Sequence, residues 1–175
     1  VVICGSSRAL HHYDPSVLEK RLGFPAWNFG RDGQFASFYP YAVAELMGRL
    51  ELQHGDPRKA IEQAQQALAA GGDTKAPEVL LTKAYLADGK FHRAREVGAR
   101  LAAAFPDDLP VQTVYAETLW RNLDFPAAKI QWRKVLDMGS DSPRAMHYWL
   151  RSTYETGAYD EAIAAAEASV VSGKA

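Results

Sequence analysis

From about residue 41 onward, apolar residues recur three and four apart in runs broken by Gly, Asp and Pro, which is the pattern of amphipathic helices. The runs are also alike. Four segments share a Gly at a helix break, an aromatic two residues later and an Ala three beyond that: His54-Gly55-Asp56-Pro57-Arg58-Lys59-Ala60, Asp88-Gly89-Lys90-Phe91-His92-Arg93-Ala94, Asn122-Leu123-Asp124-Phe125-Pro126-Ala127-Ala128 and Thr156-Gly157-Ala158-Tyr159-Asp160-Glu161-Ala162. The first has Pro57 in the aromatic place, and the third has Leu123 in the Gly place. Ala60, Ala94, Ala128 and Ala162 lie 34 residues apart each time, and Phe91, Phe125 and Tyr159 keep the same spacing.

Each unit reads as a pair of helices. In the second unit, helix A is expected from about Pro77 to Asp88, with Asp73 or Thr74 as its cap. Gly89 ends it, because the tight turn needs positive φ. Helix B is expected from about His92 to Phe105, where Pro106 stops it. Asp107, Asp108 and Pro110 open the third unit, and Asp141, Ser142 and Pro143 the fourth. The repeated Ala belongs where helix B crosses helix A, since a larger side chain there would push the pair apart. No pair can bury its apolar face alone, so the pairs must stack.

This pattern resembles the tetratricopeptide repeat family, whose unit is a helix-turn-helix of about 34 residues. The resemblance implies a mainly α chain: a right-handed solenoid of about four antiparallel helix pairs at 41–74, 75–108, 109–142 and 143–175, within a repeat domain at 35–175. Thr82 and Leu150 depart from the small residue usual in mid helix A, and Gly72 and Ser140 stand where Pro is common. Family geometry places Arg49, Lys83, Glu117 and Arg151 on the inner, concave surface, with Leu52, Leu86, Trp120 and Tyr154 one turn on. Glu45, Val79, Thr113 and His147 lie one turn before them, and Arg121 and Glu155 at the rim. Glu45 and Arg49 stand where a carboxylate clamp would need Lys and Asn, so that mode of peptide capture is not expected. Trp120 has two readings. As an exposed aromatic beside Arg121 and Arg151 it has the character of a binding hot spot; alternatively it packs on the next helix pair.

Residues 1–34 follow a different pattern. Val1-Val2-Ile3-Cys4 and Ala26-Trp27-Asn28-Phe29 read as short strands, separated by a helix from Asp14 and Pro15 to Leu22. This is an incomplete βαβ unit. Gly5-Ser6-Ser7-Arg8 and Asn28-Phe29-Gly30-Arg31-Asp32-Gly33 resemble the opening blocks of SGNH (GDSL-type) hydrolases and acyltransferases. By that resemblance Ser7 matches the nucleophile and Gly33 the oxyanion glycine. The family's third-block Asn and its Asp-x-x-His are missing, since Asp88 and His92 are one residue too far apart. A Ser without a base is an ordinary alcohol.

Composition changes this picture little. The 175 residues carry 20 Lys+Arg against 21 Asp+Glu, a balance without the basic footprint of a nucleic-acid binder. The one cysteine, Cys4, excludes an internal disulfide, and no apolar run approaches the roughly 18 residues of a membrane span. His11-His12 reads as a solvated loop, and His54, His92 and His147 lie in separate repeats, so neither metal nor cofactor is expected. The chain opens at Val1 without Met and reads as a piece of a longer protein, with the compartment left open. The function expected is a protein-interaction scaffold taking a peptide or helical segment in its groove. The alternative is part of an SGNH-type esterase or acyltransferase with a repeat docking arm.

Overall fold

The computed structural model describes residues 2–3, 27–28, 38–71 and 74–171, and their side chains over 43–71 and 74–168. Near the start, β1 (Val2–Ile3) pairs in parallel with β2 (Trp27–Asn28), Val2 opposite Trp27 and Ile3 opposite Asn28. The expected helix between them, the two turns, Ser7 and Gly33 lie outside the described residues. Eight helices follow: α1 (Phe38–Gln53), α2 (Pro57–Ala69), α3 (Lys75–Ala87), α4 (Phe91–Ala104), α5 (Leu109–Arg121), α6 (Phe125–Asp137), α7 (Pro143–Glu155) and α8 (Tyr159–Val171). The chain divides into two compact units, Val1–Pro77 and Glu78–Ala175. The helix starts at Lys75, Leu109 and Pro143 agree with the 34-residue register, and α1 begins three residues ahead of the expected 41. Among the described residues no helix is long and apolar enough to cross a membrane.

The turns show why the repeat has its sequence. Gly55, Gly89 and Gly157 take φ of +82°, +73° and +81°, a region where a Cβ is strained. Leu123, at the same register, is forced to +60°. The pair α5–α6 therefore holds a β-carbon in a conformation the other three turns reserve for Gly. The turns also cap the helices that follow. Asp56 Oδ1 accepts from the Lys59 backbone N–H at 3.1 Å, and Asp124 Oδ1 from the Ala127 N–H at 3.3 Å. Asp108, one of the two adjacent carboxylates, caps α5 through the Val111 N–H at 3.1 Å. At Asp56 that backbone hydrogen bond, aided by the Lys59 ammonium, holds the carboxyl below its ordinary value of 3.8. This cap is fully formed above that pH and is lost as pH falls through the lowered value.

Within the second unit the three pairs α3–α4, α5–α6 and α7–α8 stack through named ties. Ala94 and Ala128 have no exposed surface, and Ala162 is buried as well. Thr82, the oversized residue in mid α3, fits because its buried hydroxyl is satisfied by donating to the Glu78 carbonyl at 2.8 Å. Gln112 on α5 is 1% exposed, and its amide NH2 donates to the Ala102 and Phe105 carbonyls at the end of α4, both at 2.9 Å. Its oxygen accepts from Gln131 at 2.7 Å and Lys134 at 3.0 Å on α6, so one side chain joins three helices. Further along, Arg95 on α4 bonds Asp124 at 2.7 Å, and Lys129 on α6 bonds Glu161 at 2.5 Å.

Two kinds of substitution test this packing in opposite directions. Ala94→Leu or Ala128→Leu is expected to cost roughly 1–3 kcal/mol by overpacking, read as a lower urea midpoint. Leu123→Gly relieves the left-handed strain and loses little packing, because the side chain is 70% exposed. After the entropy cost of Gly it is expected to gain about 0.5–1 kcal/mol and raise Tm. An unchanged Tm would mean that this turn carries no strain.

Candidate binding groove

The groove residues follow from the repeat arithmetic. Positions 34 apart fall on the same face of equivalent helices, and residues three or four apart on one helix are neighbours on that face. On α3 and α5 this brings Lys83, Leu86 and Ala87 together with Glu117 and Arg121 around a surface pocket of about 230 Å³. Its charges are unequal. Arg121 reaches Glu117 only loosely, at 3.9 Å. Lys83 is exposed and forms no ion pair among the described residues, because Val79 and Ala87 occupy the positions one turn away where an acid would answer it. Two cations therefore face one carboxylate, so the pocket favours an anionic visitor.

The other expected residues divide between the neighbouring pairs. Trp120 is half-buried at the end of α5, its ring 4.7 Å from that of Tyr148 on α7. Its indole N–H is buried without an acceptor. Of the two readings open for Trp120, contact with the next helix pair is the one the geometry carries, with part of the ring still exposed. The guanidinium beside it belongs to Arg121, 5.8 Å from the ring centre. Arg151 instead pairs with Glu155 at 2.6 Å and lies 5.9 Å over the ring of Tyr154. Tyr154 meets Tyr159 edge-on at 5.0 Å, and His147 meets Tyr148 at 5.5 Å. Arg49 belongs to the first unit, where it pairs with Glu45 on the same helix. Ser7 and Gly33 are not among the described residues, and no chemistry is assigned to them.

Two residues that shape this face were not singled out by the repeat. Tyr148 stacks on Trp132 at 5.2 Å and meets Trp120 at a tilt, filling the seam between α5–α6 and α7. Asn122 donates both to the Phe91 carbonyl at 2.8 Å and to the Thr118 carbonyl at 2.7 Å, clamping the end of α5 to the start of α4. Polar residues do occur at the same register, as His54, Asp88 and Thr156, which is the only hint of that role.

The tetratricopeptide repeat family profile matches residues 46–108 and 116–174, and the chain belongs to that family. No curated protein matches the sequence. Among solved structures, the first tetratricopeptide repeat domain of human RPAP3 is similar with a TM-score of 0.63 at 14% identity, over 70% of this chain and 97% of that one. MamA from AMB-1 is similar with a TM-score of 0.62 at 19% identity, over 76% of this chain and 73% of that one. The second such domain of human RPAP3, in complex with the HSP70 peptide SGPTIEEVD, gives 0.61 at 15% identity, over 67% and 98%. At these identities the likeness is one of fold.

Because Trp120 bridges two helix pairs, its truncation should be felt in stability. Trp120→Ala is expected to lower stability by roughly 2–4 kcal/mol, whereas Trp120→Phe keeps most of the ring contact and removes an unpaired buried N–H. Urea melts of both variants check this. Equal loss in the two would show that the indole itself, not its contact area, matters.

Proposed function

We propose that this tetratricopeptide repeat protein is an interaction scaffold whose second unit binds an acidic peptide segment on the face built by α3, α5 and α7. The observation that carries this reading is the pocket in which Lys83 and Arg121 outnumber Glu117. Lys83 has no acid one turn away on its own helix, where Glu78 is taken by Arg100, so it meets a visiting carboxylate without first breaking an internal pair. The rigid helices beneath it hold the side chains in place, which limits the ordering cost of binding. That a similar fold is found with a bound peptide supports a peptide, rather than a small molecule, as the occupant.

The reading is tested by panning a random twelve-residue peptide display library on the full chain. Selected peptides are expected to be acidic, and Lys83→Ala should weaken them severalfold at low salt, with the difference shrinking as ionic strength rises. Neutral or basic selected peptides, or acidic ones indifferent to Lys83→Ala, would overturn it.

A further inference from the structure

Beside the charged pocket lies a larger one, of about 500 Å³, at the turn edge of the same unit. Phe91, Trp120, Arg121, Asn122 and Leu123 line it, and its size is that of a ligand pocket rather than a packing defect. Three features set it apart from an ordinary surface depression. Its walls are two aromatic rings and one aliphatic side chain. Leu123 is 70% exposed and stands at a backbone position where the other three turns use Gly, so an isobutyl group is held at φ +60° against a conformational preference. Asn122, whose amide clamps the Phe91 carbonyl, keeps the two walls together.

The charge at this pocket indicates its occupant. Arg121 is the one ionisable residue lining it, and it also lines the charged pocket. Its guanidinium lies 5.8 Å over the Trp120 ring and only loosely meets Glu117, so its planar donors remain open to a carboxylate. We propose that the turn-edge pocket is a specificity site for a large apolar side chain of the bound peptide, adjacent in that peptide to a carboxylate that Arg121 receives. The proposal rests on the acidic-peptide reading above and adds to it a sequence preference set by Phe91, Trp120 and Leu123. Leu123 then earns its strained position by contributing an apolar wall that Gly cannot supply.

Peptides from the display selection on the full chain serve as the probe, and Leu123→Gly as the variant, since it removes the wall while easing the turn. A large apolar residue within two or three positions of an acid is expected in the selected peptides. Their affinity should fall at least fivefold on Leu123→Gly while Tm rises. Binding weakened by Lys83→Ala yet unchanged by Leu123→Gly overturns the turn-edge site and leaves the charged groove standing. Apolar-rich peptides that need Leu123 but ignore Lys83 would leave the pocket standing and remove the acidic reading. Sedimentation of both proteins is the last arm: a wild-type dimer that Leu123→Gly makes monomeric assigns the pocket to a second copy of the chain and overturns the peptide site.

Discussion

Close approach of helix backbones is the constraint on which the second unit depends. Ala94 and Ala128 are wholly buried at equivalent points of α4 and α6, and nothing larger fits there without moving a helix. Once the helices are that close, the turn between them must be short, and its left-handed residue follows. The carboxylate after the turn then caps the next helix, as Asp56 and Asp124 do. Asp124 also receives Arg95 from α4 in the preceding pair, so one residue both starts a helix and fastens two pairs. The spacing of groove side chains is thus inherited from a methyl group in the core.

The repeats share a register but not a filling. Gly98 on α4 sits where an added Cβ would lie 3.3 Å from Thr118 Cγ2, so α4 and α5 meet almost backbone to side chain. One repeat later the same register holds Trp132, buried and stacked on Tyr148. The seam between α6 and α7 is accordingly built from Trp132, Tyr148 and Trp149, with the Arg133 guanidinium 5.4 Å over the last ring. Trp120 joins this aromatic set from α5. Its position is therefore fixed by the core, which makes its remaining exposed surface a preordered wall.

What could be read from the sequence was whatever repeats. The helix pairs, the buried alanines and the place of Asp108 at the opening of a repeat follow from period and residue type alone. Gln112 could not be found that way, because its four hydrogen bonds use partners on two neighbouring helices, and its register holds Ala44, Glu78 and Met146 elsewhere. The repeat showed Leu123 as a missing Gly, yet spacing does not say whether the turn relaxes or the residue bears positive φ; it bears it. Arg151 was placed beside Trp120 by register, but a helix face offers each Arg several partners. Glu155 one turn away on the same helix takes it.

That last exchange explains how such a face carries charge without collapsing onto itself. Arg121 and Arg151 each answer an acid four residues away on their own helix, and both pairs remain accessible to solvent. Exposed pairs of this kind contribute only about 0–1 kcal/mol, so a visiting carboxylate replaces the resident one at small cost. Because the pairs are intrahelical, their exchange leaves the fastenings between repeats untouched; those use Arg95, Lys129 and Gln112 at other registers. Stability and recognition therefore draw on different side chains of the same helices. The exceptions are Trp120 and Asn122, where the wall of a pocket is also a tie between pairs, so that truncation there changes binding and packing together.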